Sequence, residues 1–295
     1  MKLNKKLQNI GFAIIAGIAL ICFIVGWALD QKIAGKVGDF DNLFGILLTA
    51  FGVMGTLTIG SIAGAILFFM PKHENKKVDI GLRILGAISF VVFVFFETKE
   101  AVEYADFPRM AENETTYKVL MIAFLAIKDL AIILLTKLFI KKVNPKTLVP
   151  ACILIIAVIV FYAASCEFVK YLASRPRPRV VEQGIEFRQW YQFQPLRALK
   201  NEYHDCKSFV SGHACNSACI ISVLPLLLTL RRKEIEPEVQ IIALTVGALY
   251  TFVVAFSRMV AKAHYMTDVM GGIMLSVAMQ ALIINFTPKI FKKLQ

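Results

Sequence analysis

Eight stretches of roughly twenty residues, nearly free of charge, follow one another along this 295-residue chain. A helix needs about 20 apolar residues to cross the hydrocarbon core of a bilayer. Ile10–Leu29, Leu43–Met70, Asp79–Glu97, Lys118–Ile140, Thr147–Cys166, Ser208–Leu230, Val239–Ser257 and Val269–Pro288 meet that requirement. In lipid, each backbone polar group must be satisfied within its own segment or a closed barrel, so runs of this length predict helices. The expected fold is an all-α, polytopic membrane helix bundle with about eight transmembrane helices. The first run follows Lys2, Lys5 and Lys6 like the start of a signal peptide. Its apolar part is too long and no A-x-A site follows, so it is expected to remain as the first span.

Composition closes off the other classes. Apolar residues make up 57% of the chain and charged residues 18%, against about 45–50% and about 25% in soluble domains. With a mean hydropathy of +0.65, a soluble 32.9 kDa globule would lack the polar residues to cover its surface. A soluble enzyme and a disordered chain are both excluded. The net charge of +12 would suggest nucleic acid in a soluble protein. Here the basic residues cluster between apolar runs, where they set membrane orientation, and no nucleic-acid partner is expected. The six cysteines, Cys22, Cys152, Cys166, Cys206, Cys215 and Cys219, follow no metal-ligand spacing.

Alternate connections hold Lys2/Lys5/Lys6, Lys72/Lys76/Lys77, Lys137/Lys141/Lys142/Lys146, Arg231/Arg232/Lys233 and Lys289/Lys292/Lys293, sixteen cations in all. The first two connections on the opposite side hold four: Lys32, Lys36, Lys99 and Arg109. Cytoplasmic loops carry the excess of lysine and arginine, so both termini are expected in the cytoplasm, at a cell membrane crossed many times. The outer side breaks this bias at Arg175–Lys207, with Arg175, Arg177, Arg179, Arg188, Arg197, Lys200 and Lys207, and again at Arg258 and Lys262. Cations gathered against the topological bias point to anion binding. Lys128-Asp129, near the middle of the fourth run, is a second oddity. An intramembrane charge is a candidate functional group, but a structural pair with another helix is the favoured reading.

Three short segments fall on that same outer side. The fifth run continues into Lys170-x6-Arg177-Pro178, the sixth opens with Ser211-Gly212-His213, and the last outer loop reads Ser257-Arg258-x5-His264-x3-Asp268. Taken singly these are a charged loop, a helix cap and a surface pair. Together they hold the parts of a metal-free phosphate site. Lys170, Arg177 and Arg258 supply three cations, and an arginine can fork onto an oxyanion. Ser211 and Gly212 stand at a helix N-terminus, where N–H groups and the helix dipole favour an anion. His264 and Asp268 are four apart, which on a helix lets the carboxylate orient the imidazole. His213 is a second imidazole suited to proton transfer.

With these motifs the sequence resembles the type-2 phosphatidic acid phosphatase superfamily of membrane lipid phosphatases. That family's signature is K-x6-R-P, P-S-G-H and S-R-x5-H-x3-D. The one departure is Val210, where the family usually has proline. The resemblance implies a six-helix core with the first motif after its third helix. Residues 79–295 would then form the core, and residues 1–78 would be two additional N-terminal helices. It also implies a covalent mechanism: His264 as nucleophile oriented by Asp268, His213 as acid and base, and Lys170, Arg177, Ser211, Gly212 and Arg258 around the phosphate. No metal or cofactor is expected. The substrate would be a lipid phosphate or pyrophosphate at the outer leaflet, such as phosphatidic acid, phosphatidylglycerol phosphate or undecaprenyl pyrophosphate. Transfer of the phosphate to another acceptor, and a non-catalytic transporter with the same fold, are the alternatives. Phe187, Trp190, Tyr191 and Phe193, between the first two motifs, suit either an interfacial aromatic belt or a lid over a head group.

Overall fold

A computed structural model describes residues 3–71, 74–103, 113–140, 145–195, 206–229 and 235–293. Lys2, Lys72, His73, Arg109, Lys141, Lys142, Arg197, Lys200, His204, Leu230, Arg231, Arg232 and Lys233 lie outside the described residues. Within the described residues the regular structure is ten helices and no strands: α1 Lys5–Val37, α2 Leu43–Phe51, α3 Met54–Phe69, α4 Lys76–Glu103, α5 Glu114–Phe139, α6 Pro145–Ala173, α7 Pro178–Val181, α8 Gly212–Thr229, α9 Pro237–Val260 and α10 Met266–Lys293. Seven segments are long and apolar enough to span a bilayer, α2 and α3 counting as one, and α8 is a shorter apolar helix. The protein is a multi-pass helical membrane bundle.

Two of the expected runs differ in detail. Leu43–Met70 is broken at Gly52–Val53, where the Tyr250 hydroxyl donates to the Gly52 carbonyl over 2.8 Å. The sixth run starts its helix at Gly212 rather than Ser208. The four residues before it are held out of helical geometry by partners elsewhere: Ser208 N–H donates to the Arg175 carbonyl at 2.9 Å and Ser211 N–H to the Asp268 carbonyl at 3.0 Å.

Helix α1 shows how sequence spacing selects the buried face. Gln8, Phe12, Ile15, Ala19, Phe23, Gly26, Asp30 and Ala34 are its buried residues, three or four apart throughout. This is the stripe a helix turns toward one neighbour, and that neighbour is chiefly α10. Gly26 permits the approach, since a Cβ there would stand 3.1 Å from the Thr267 backbone nitrogen. Between α3 and α4 the backbones come closer still. A Cβ on Gly64 would lie 2.7 Å from Phe90 N, and one on Gly86 2.6 Å from Gly64 O. Small residues at a crossing let membrane helices pack by direct van der Waals contact.

Helix α8 is the most enclosed element. Ala214, Cys215, Ala218, Cys219 and Ile221 are wholly buried among α6, α9 and α10. The helices differ in their packing partners. α1 packs along α10, and α3 packs on α6 and α8, whereas α4 and α5 pack chiefly on α3 and on each other. On α5, Val119, Leu120, Ile127 and Leu138 are 60–69% exposed, as a lipid-facing surface requires. Lys128 turns the other way. Its ammonium meets Glu97 of α4 at 2.5 Å and its neighbour Asp129 at 2.9 Å, while Thr58 of α3 donates to Glu97 at 2.9 Å. The oddity of the fourth run is thus an ion pair between α4 and α5, with α3 hydrogen-bonded to it.

A candidate phosphate site at one end of the bundle

α6 ends, α8 begins, α9 ends and α10 begins at the same end of the bundle. The three sequence motifs occupy these four helix ends. Lys170 lies in the last turn of α6, Arg177 caps α7, Ser211 precedes α8, and Gly212 and His213 open it. Arg258 sits in the last turn of α9, His264 in the connection that follows, and Asp268 in the first turn of α10. Lys170, Arg177, Arg258 and His213 are all near enough to His264 to act on its charge. A Cβ on Gly212 would lie 2.8 Å from the Lys170 ammonium nitrogen, so glycine leaves the lysine its place. All eight residues singled out from the sequence meet at one place. Arg177, Arg258, His213, His264 and Ser211 are buried, and Asp268 is fully buried.

The two histidines are held by main-chain carbonyls. His264 Nδ1 lies 2.7 Å from the Ser208 carbonyl oxygen, and His213 Nε2 lies 2.9 Å from the Thr49 carbonyl oxygen. A carbonyl only accepts, so each of these ring nitrogens carries the proton. The lone pair of neutral His264 therefore sits on Nε2, and that of neutral His213 on Nδ1. Burial, together with the positive charges of Arg177, Arg258 and Lys170, pushes the His264 imidazole well below its usual pKa. It is kept neutral, the form in which nitrogen is a nucleophile.

The direct His264–Asp268 hydrogen bond expected from the i, i+4 spacing is not the geometry found. Nδ1 stands 3.9 Å from the nearer carboxylate oxygen. His264 precedes the first turn of α10, so the helical register that would bring the pair together has not yet begun. Asp268 instead accepts from Arg175 at 2.6 Å, from the Tyr265 N–H at 2.7 Å and from the Ser208 hydroxyl. Its bond to Tyr265 is half of a capping box, an N3 side chain satisfying the N–H of the N-cap residue. Ser208 joins the two parts, its hydroxyl on Asp268 and its carbonyl on His264.

Four supporting residues were not assigned to the site from the sequence. Arg175, 1% exposed, is the centre of the framework. Besides Asp268 it donates to Thr267 Oγ1 at 2.7 Å, to Asp30 at 2.9 Å and to the Arg188 carbonyl at 2.7 Å. Its guanidinium also stacks over the Tyr265 ring at 4.3 Å. Asp30 comes from α1, Thr49 from α2, and Ser208 from the segment before α8. The Thr49 hydroxyl accepts from Arg258. The stripe on α1 was the available signal for Asp30, the one acidic residue on that buried face. Thr49 and Ser208 act in part through backbone carbonyls, which carry no sequence signal.

Of the outer-loop aromatics, Trp190 packs edge-on against Phe23 and Trp27 of α1, with ring centroids 5.2 and 5.9 Å apart. Phe187 packs on Tyr265 at 5.3 Å, while Tyr191 and Phe193 are about half exposed. The loop is thereby pinned to α1 beside the site.

The model of the PAP2 superfamily matches residues 147–292, which contain all three motifs. Phosphatidylglycerophosphatase B of Bacillus subtilis (strain 168) is 27% identical over 147 residues, covering 48% of this chain and 69% of that protein. No solved structure gives a significant match. Residues 147–292, with Lys170-x6-Arg177-Pro178, Ser211-Gly212-His213 and Arg258-x5-His264-x3-Asp268 in place, match the PAP2 superfamily.

Proposed function

We propose that the protein is a membrane phosphatase that hydrolyses a lipid phosphate or pyrophosphate through a phosphohistidine on His264. One observation carries the reading: a buried, neutral imidazole whose Nδ1 is committed to a carbonyl, among Lys170, Arg177 and Arg258. That arrangement leaves Nε2 to attack phosphorus and three cations to hold the charge on the equatorial oxygens, the term that dominates phosphoryl transfer. The family and the phosphatidylglycerophosphatase relative support a lipid phosphate as substrate.

His264 Nε2 forms a bond to phosphorus as the bond from phosphorus to the lipid oxygen breaks. His213 Nδ1 gives its proton to the departing oxygen. An arriving phosphate dianion offsets the surrounding cations and lets His213 carry that second proton. Water then attacks phosphorus, His213 takes a proton from it, and the phosphorus–nitrogen bond breaks to release inorganic phosphate. No step calls on a metal. The concentration of cations against the topological bias supports placing this chemistry at the outer leaflet, with both termini in the cytoplasm.

Detergent-purified protein should release phosphate from at least one of phosphatidic acid, phosphatidylglycerol phosphate and undecaprenyl pyrophosphate, with excess EDTA present and without an added acceptor. His264→Ala should lower kcat by about a thousandfold or more. Release that needs an added acceptor would make the protein a phosphotransferase. A His264→Ala variant with more than about a tenth of the wild-type rate, under 1.4 kcal/mol of barrier, would remove the nucleophile assignment. A single cysteine at Gln183 should react with an impermeant thiol reagent in intact cells once native cysteines are replaced.

A further inference from the structure

Asp30 lies on α1, more than a hundred residues before the segment that matches the family. It is 3% exposed, an unusual position for a carboxylate unless its oxygens are engaged. They are engaged at the site. One oxygen accepts the Thr267 N–H at 3.0 Å. The other accepts from Arg175 at 2.9 Å and from the Thr267 hydroxyl. Thr267 is the second residue of α10, so Asp30 satisfies one of the N–H groups that a helix start leaves without an internal partner. Its charge also sits where the helix dipole favours an anion.

We propose that Asp30 is a positioning residue for the phosphate site, acting on His264 through Arg175, Asp268 and Ser208. This inference rests on the phosphatase reading above. The connection is continuous: Asp30 to Arg175 at 2.9 Å, Arg175 to Asp268 at 2.6 Å, Asp268 to the Ser208 hydroxyl, and the Ser208 carbonyl to His264 Nδ1 at 2.7 Å. Arg175 is the only cation within salt-bridge reach of either carboxylate among the described residues, and the neutral His264 ring stands 3.9 Å from Asp268. Its planar fork fits this place because separate nitrogens reach the two acids, which a lysine ammonium could not do from one point. Without Asp30, the Thr267 N–H and one arm of Arg175 lose their acceptor, and Arg175 is free to turn wholly toward Asp268. The carboxylate would then shift relative to Ser208, and Nε2 would leave the line of attack. Misplacement of a reacting atom by about 1 Å costs on the order of a hundredfold in rate. The phosphate cradle, formed by Lys170, Arg177 and Arg258, does not touch Asp30 and should keep its affinity.

The test compares Asp30→Asn, Arg175→Lys and the double variant with wild type, using the lipid phosphate that wild type hydrolyses fastest. Vanadate, which must bond to Nε2, and inorganic phosphate, which need only enter the cradle, are titrated by thermal shift. Asp30→Asn should lower kcat at least about tenfold with KM within about threefold, and should weaken vanadate at least about tenfold more than phosphate. The double variant should be no more than about threefold worse than Arg175→Lys alone, since both act through one connection. A general loss of stability would move vanadate and phosphate alike, and its effects would multiply. An Asp30→Asn kcat within about threefold of wild type, multiplied losses, or equal weakening of the two anions would each overturn the role. If Asp30→Asn fails to fold, Arg175→Lys must meet the same kcat and anion criteria, and failure there overturns it too. Hydrolysis by wild type alongside an unaffected Asp30→Asn refutes the positioning role alone. Absence of hydrolysis from every lipid refutes the phosphatase reading, and this role with it.

Discussion

The bundle contains two trios of the same formula, a basic residue between two carboxylates. Asp30–Arg175–Asp268 joins α1, the segment after α6 and α10, and its side chains are 0–1% exposed. Glu97–Lys128–Asp129 joins α4 to α5, and its lysine and aspartate are 17% and 12% exposed. In the first trio the carboxylates stand on different helices, and each is also bonded to main-chain N–H groups at the start of α10. In the second, one carboxylate is the lysine's neighbour in sequence, and Thr58 is the further partner. The arginine trio fixes a helix start where chemistry is proposed. The lysine trio fastens a peripheral hairpin to the bundle. Equal charge thus says little about role, and the elements joined decide it.

The largest effect that would sharpen this contrast comes from Asp268→Ala. It strands Arg175, the Ser208 hydroxyl and the Tyr265 N–H together, and kcat should fall by about a thousandfold. Stopped assays on folded protein check this, and a loss below about tenfold would place Asp268 outside the machinery. Next comes Thr49→Val, which removes the hydroxyl that accepts from Arg258 but keeps the carbonyl that holds His213. The loss of a hydrogen bond to a charged group predicts a fall in kcat/KM of roughly ten- to a hundredfold. The pH profile gives a smaller but signed effect. Because burial and neighbouring cations lower the His264 pKa, the proposed nucleophile stays neutral as pH falls past about 6.5. The acid limb of kcat/KM assigned to His264 should therefore lie below that value, and a limb at or above it would contradict a neutral, charge-crowded imidazole. The smallest effect on catalysis should come from Lys128→Met. Breaking a buried pair costs about 3 kcal/mol of stability, largely because a charge is left uncompensated. The melting temperature should drop and recover when Glu97→Gln is added, with kcat per folded molecule within about twofold of wild type. A tenfold loss of kcat would join the two trios into one system.

The sequence shows the helices and the site well, for identifiable reasons. Long uncharged runs leave few alternatives to membrane helices, and the three motifs are read by residue type at fixed spacing. Lys170, Arg177, His213, Arg258 and His264 meet because each stands at a helix end and those ends coincide. What the sequence hides is carried by tertiary approach. The His264–Asp268 spacing suggests a direct bond, but the helix begins two residues after the histidine. Asp30 looks like the first residue of a loop because an uncharged run ends at Leu29, yet α1 continues to Val37 and carries it inward. The chain order 1–78 then 79–295 does not reveal that α3 packs on α6 and α8 while α4 and α5 stay at the edge.

Both imidazoles are locked by main-chain oxygens, that of Ser208 and that of Thr49. A codon change can replace a side chain but cannot delete a carbonyl. Drift at positions 49 and 208 can therefore alter packing, or the contacts of their hydroxyls, while the tautomers of the two rings are inherited with the backbone path. Insertions or deletions between Gly45 and Thr49, or between Ser208 and His213, are the changes that would reach it. For this chain, variation in length near those carbonyls is more hazardous than variation in letters.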